Sequence, residues 1–126
     1  ASDVYKRQQN KYQVSIDLLN DAVGKEIATS LQYMYFHTHF EDDRYRYLSR
    51  ILREISIAEM RHIEMLAKRI MFLEGDVDMN PSFRTRRITE PKEMLRLAMQ
   101  LLQQEAASRQ ILLFTCQSRE AQALEN

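Results

Sequence analysis

Glu59 and His62 stand three residues apart within ISIAEMRHIEMLAKRIMFLEG, residues 55–75. On a helix that spacing projects a carboxylate and an imidazole from one face, where both can reach a single metal ion. Glu26 and Tyr33 are seven residues apart, about two helical turns, so they share a face as well. Buried carboxylates are costly unless they are paired or bound to metal. An E-x-x-H pair alone is a weak signal, and a lone inward Glu is weaker still. Glu26, Glu59 and His62 together, each in the middle of an apolar stripe, are a stronger one. The chemistry they fit is a di-iron carboxylate centre, which takes a Glu from each of two helices and E-x-x-H from two others.

Three helices must position these residues. The first is expected over 14–40, with an inward line of Leu19, Val23, Glu26, Ser30, Tyr33, His37 and Phe40. After the polar break at 41–44, the second is expected over 45–74, antiparallel to the first. Its inward line is Leu48, Ile51 with Leu52, Ile55, Glu59, His62, Leu66, Ile70 and Leu73, and Gly75 is its expected stop. The third is expected over 91–122, opened by Pro91 with Thr89 or Glu90 as cap, and lined by Met94, Ala98, Leu101, Glu105, Leu112 and Cys116. A helix of about 30 residues is about 45 Å long. The aperiodic loop 76–89 can reach roughly that far when extended. The third helix is therefore expected to run parallel to the second, in an all-α, up-down bundle with a long crossover. Three helices of an expected four are present.

Bulk properties exclude several classes. The chain has 126 residues, one domain's worth, with 44% apolar and 29% charged residues. Lys and Arg balance Asp and Glu at 18 each, which argues against a nucleic-acid binder. The one tight basic cluster, Arg84 to Arg87, reads as a solvated loop. The single cysteine, Cys116, forms no internal disulfide and fits a reducing, cytoplasmic setting; it reads as a small core residue. No apolar run approaches the ~20 residues of a membrane span. The opening ASDVYKRQ resembles a translated adapter, so residues 1–8 are expected to be non-native and 9–126 to be the helical domain. The end, SREAQALEN, carries no helix stop, and the domain is expected to be C-terminally incomplete. A three-helix chain of this kind is expected to be poorly stable alone and to oxidise Fe(II) no faster than buffer.

The stretches EIATSLQYMYFH and EMRHIEMLAKRIMFLEG resemble bacterioferritin, within the ferritin-like superfamily. The resemblance rests on Glu26, on Gln32–Tyr33 six residues later, on Glu59-Met60-Arg61-His62, and on the ending Arg69 to Gly75. It covers residues 16–75 well and 90–121 loosely. It implies that Glu26 is a terminal iron ligand, Glu59 a bridging ligand, His62 its histidine partner, and Tyr33 a tyrosine beside the centre. The ligand from the third helix stays open. Glu105 is the sole acid between Glu93 and Arg119, whereas gapless alignment from Glu93 places Leu102 there.

The resemblance implies a ferroxidase and iron-storage subunit. Fe(II) is oxidised at the di-iron centre by oxygen or peroxide, and the product moves into a shell of identical subunits built from dimers. It also implies haem b, with Met60 as ligand at a two-fold interface. Met60 lies on a second apolar line, Ile57, Met60, Ile63, Ala67 and Met71, matched by Ile27, Leu31 and Met34, and so reads equally as plain interface packing. His37 reads as a satisfied, hydrogen-bonded histidine or a neighbour of the iron path, and His39 as solvated. Two rival functions are a rubrerythrin-like di-iron peroxidase and a DNA-protecting mini-ferritin coat. The first lacks its four-cysteine segment here, and the second places its ligands between subunits. A third reading is a chain with no activity of its own.

Overall fold

The computed structural model describes residues 10–40 and 43–125; within the last helix, side-chain packing is described as far as Arg109 and at Leu112. Residues 1–8, expected to be non-native, and Cys116 lie outside what is described. Helix α1 spans Gln13–His39, a single 3-10 turn spans Asp43–Tyr45, α2 spans Arg46–Phe72, and α3 spans Pro91–Glu125. These bounds differ from the expected ones by three residues or fewer. No strand occurs among the described residues.

α1 and α2 form an antiparallel hairpin, as the short break between them requires. Two apolar clusters hold the bundle. In one, Tyr33 and Phe36 of α1 and Phe40 just past its end meet Leu52 of α2 and Met94, Leu97, Ala98 and Leu101 of α3. In the other, Ile16, Leu19 and Val23 meet Ile70 and Leu73, with Leu112 packed against them. The start of α3 thus sits beside the start of α2, and Leu112 beside its end. α3 runs parallel to α2, as the loop length predicts.

The crossover is pinned along α1. Asn20 Nδ2 donates to the Asp76 carbonyl at 2.8 Å and its Oδ1 accepts from the Asp78 amide at 2.7 Å. The Ser82 amide donates to the Gly24 carbonyl at 3.0 Å. Gln32 is fully buried and exchanges two bonds with the Arg86 backbone, donating at 3.1 Å and accepting at 2.8 Å. Together these turn an aperiodic segment into a strap of fixed path.

Gly24 is where the strap comes closest. A Cβ there would lie 2.7 Å from Ser82 Oγ and 2.9 Å from the Asn80 carbonyl oxygen. Gly→Ala inside a helix normally gains about 1 kcal/mol, but overpacking costs about 1–3 kcal/mol. The backbone oxygen cannot rotate aside, so the clash wins. Gly24→Ala is expected to lower stability by up to about 2 kcal/mol in urea unfolding. An increase in the midpoint would show that the strap yields freely.

The end of α2 departs from expectation. Gly75 is not the left-handed residue: Glu74 is, with φ 62°. The Gly75 amide then donates back to Ile70 at 3.0 Å, closing a Schellman-type stop one residue early. Gly75 is glycine for a different reason. Ile16 presses on it, and a Cβ would come within 2.7 Å of the isoleucine side chain. Asn10 completes this corner by donating from Nδ2 to the Leu73 carbonyl at 2.8 Å. At the start of α3, Glu90 is the cap, its Oε2 accepting from the Glu93 amide at 2.9 Å.

Candidate metal centre

A polar layer lies between the two apolar clusters. Glu26 follows Val23 along α1, Glu59 and His62 fall between Leu52 and Ile70 on α2, and Glu105 falls between Leu101 and Leu112 on α3. The helices approach closely here because the facing side chains are small. Ser30 Oγ donates to the Ser56 carbonyl at 3.0 Å, and Ser56 Oγ donates to the Ser30 carbonyl at 2.8 Å. Both serines are buried, one turn from Glu26 and Glu59 respectively.

Glu26 is 5% exposed and Glu59 is 3% exposed. One ligand atom each from Glu26, Glu59 and His62 lies within 4.8 Å of the others. His62 Nδ1 faces both carboxylates, 3.5 Å from Glu59 Oε2 and 3.9 Å from Glu26 Oε2. That nitrogen is buried, as is Glu105 Oε1, and neither has a hydrogen-bond partner among the described residues. Orphaned buried acceptors of this type on facing helices fit a divalent cation with mixed carboxylate and imidazole ligands.

On the third helix Glu105 stands beside this group, which comprises Glu26, Glu59 and His62 alone among the described residues. Burial, and after it the charge of neighbouring Glu59, push its carboxyl up to about 8, with Arg109 pulling the other way. Glu105 Oε2 lies 3.8 Å from Arg109 Nη2 and the Glu105 side chain is 12% exposed, while Leu102 is 40% exposed. Tyr33 is fully buried beside Glu105, and its hydroxyl donates to the Ala98 carbonyl at 3.4 Å. Burial first, then the charge of Glu105, raise the phenol well above its ordinary value.

The sequence reading missed Arg109. Its Nε donates to Glu26 Oε1 at 3.0 Å, and its Nη2 donates to both oxygens of Glu59 at 2.9 Å. Its position four residues after Glu105, on the same helical face, is the signal that would have found it. His37 is a structural pin, its Nδ1 2.7 Å from the Ser49 carbonyl and 2.9 Å from Ser49 Oγ. His39 is exposed and stacks on Tyr35 with ring centroids 4.1 Å apart. Met60 points away from the carboxylates onto the outer side of α2 and is 53% exposed, as are Leu31 at 46% and Met71 at 63%.

A helical bundle whose core layer is carboxylates and imidazole defines a class, and comparison with known proteins gives the same one. The profile of the ferritin-like domain matches residues 16–123, and the chain belongs to that family. It is similar to the bacterioferritin of Brucella melitensis biotype 1, 40% identical over 60 residues, which cover 48% of this chain and 37% of that protein. It is also similar to the bacterioferritin of Desulfovibrio desulfuricans, 39% identical over 70 residues, which cover 56% of this chain and 38% of that protein. The matched segments span less than two fifths of these curated relatives. No solved structure gives a significant match. None of the helices is long and apolar enough to cross a membrane, among the described residues.

Proposed function

We propose that the chain is an iron-handling subunit that binds Fe(II) as substrate at Glu26, Glu59 and His62 and supports its oxidation there, as part of iron storage. The observation that carries this reading is the convergence of three ligand atoms, two of them from buried carboxylates, on one point between α1 and α2. Carboxylate and imidazole donors suit iron with open coordination positions. Glu59 neighbours both Glu26 and Glu105, and would be the residue to hold a second iron together with the first. That second iron would need a further imidazole, which the described residues do not place here.

The chain's own groups divide the work. Glu26 and Glu59 neutralise the incoming cation in a layer closed above and below by apolar side chains. His62 adds a neutral donor from the half-exposed side, which is also the route by which iron can enter. Glu105, its carboxyl pushed up to about 8 by burial and by the charge of Glu59, can release a proton as a second cation arrives. Tyr33, kept as the neutral phenol mainly by burial, stands beside Glu105 with a hydroxyl proton to donate.

The outer apolar line of Leu31, Met60 and Met71 supports packing of a second copy, and Met60 is the side chain there that could ligate haem b. A haem band abolished by Met60→Leu tests that part. The metal reading is tested by anaerobic Fe(II) calorimetry followed by an oxygen pulse. Saturable Fe(II) binding is expected, lost alike in Glu26→Ala and His62→Ala, and the oxygen pulse separates a chain that oxidises bound Fe(II) faster than free from one that, for want of a fourth helix, only binds it. Absence of Fe(II) binding would remove the proposal.

A further inference from the structure

We infer that Arg109 is a displaceable counter-cation that occupies the metal position in the metal-free protein and competes with the incoming metal. This rests on the metal reading above. The guanidinium bonds to both Glu26 and Glu59 through Nε and Nη2, and its Nη2 also lies 3.8 Å from Glu105 Oε2. It uses the carboxylate lone pairs that a metal would need. A metal ion bonded to those oxygens at roughly 2.0–2.2 Å would touch the guanidinium, and two cations in contact repel. Occupancy by one excludes the other.

Two features make Arg109 displaceable. Its side chain is 42% exposed, whereas its partners Glu26 and Glu59 are 7% and 4% exposed, so it can swing outward into water while they stay in place. Arginine also satisfies the site incompletely. It is a donor fork matched to carboxylates, and with it in place His62 Nδ1 and Glu105 Oε1 have no hydrogen-bond partner among the described residues. A divalent cation can engage those atoms as well. The metal-free protein is thus spared two uncompensated buried carboxylates, and the cost of that protection is weaker metal binding.

The test compares the wild-type chain with Arg109→Gln and Arg109→Lys, using Zn(II) as probe. Calorimetry gives the affinity, and thermal melts in chelator and in excess Zn(II) give the stability. If Arg109 occupies the site most of the time, removing it tightens apparent Zn(II) affinity about tenfold. Arg109→Gln is expected to melt several degrees lower than wild type in chelator and to gain more on adding Zn(II). Arg109→Lys keeps the charge but not the fork and is expected to fall between the two. Should Arg109→Gln be unfolded in chelator, folding on addition of Zn(II) supports the inference, and the lysine variant still reports affinity. Equal or weaker Zn(II) binding in both variants overturns it, leaving Arg109 a purely structural ion pair. No Zn(II) binding to wild type or either variant overturns the metal reading as well.

Discussion

Glu59→Ala is expected to abolish metal binding while leaving a folded, modestly destabilised chain. Glu59 is the central carboxylate of the layer: it accepts two hydrogen bonds from Arg109, faces His62 Nδ1 and charges the environment of Glu105. Without it Glu26 and His62 lack the group between them. Losing one partner of a buried charge pair is worth about 3–5 kcal/mol, which as binding energy is a loss of roughly two to three and a half orders of magnitude. The effect on folding is smaller for two reasons. Arg109 is 42% exposed, so water screens it, and it keeps Glu26 as a partner. A stability loss of about 1–3 kcal/mol is expected. Calorimetry with Zn(II) and urea unfolding check the two halves separately. Retained metal affinity in a folded variant would mean that any metal site lies elsewhere.

Ser56→Leu is expected to have the largest effect on the fold and to destroy the site from a distance. Ser56 is fully buried between α1 and α2, where it and Ser30 exchange hydrogen bonds with each other's backbone carbonyls. Leucine would wedge the helices apart, and overpacking costs about 1–3 kcal/mol. It would also leave the Ser30 carbonyl without its buried donor, at about 1–3 kcal/mol more. The sum is a large share of the 5–15 kcal/mol typical of a whole domain. Because Glu26 and Glu59 lie one turn away on the same side of this contact, one on each helix, a separation here pulls the ligands apart. Ser56→Ala, which loses one donor without adding bulk, should cost far less and retain metal binding. Equal losses in the two variants would show that the hydroxyl matters and the spacing does not.

These two positions differ in how readily the sequence exposes them. Glu59 is conspicuous because a carboxylate on an apolar stripe contradicts its neighbours, and the same contradiction reveals Glu26 and His62. Helical periodicity fixed the three helices within a few residues, since 27-residue segments such as α1 and α2 average out local ambiguity. The direction of α3 followed from chain length alone. Ser56 was hidden because serine on a helix is ordinarily solvated, and only the partner helix makes its small size meaningful. Arg109 was hidden for a related reason. An arginine among Gln, Ala and Ser reads as surface, and its partners are 83 and 50 residues away in sequence. Gln32 and Gly24 gain their roles only from the strap that lies over them. Glu74, in the left-handed region, broke the expectation that glycine takes that position, because Gly75 was needed under Ile16.

The central claim is that ligands from two facing helices hold iron in the layer between the apolar clusters. X-ray absorption at the iron edge, on the chain loaded anaerobically with Fe(II), tests it most directly. The account predicts an oxygen and nitrogen shell that includes imidazole scattering, and predicts that His62→Ala removes the imidazole contribution while Glu59→Ala leaves only hydrated Fe(II). Spectra of hydrated Fe(II) in the wild-type chain, or imidazole scattering that survives His62→Ala, would contradict it.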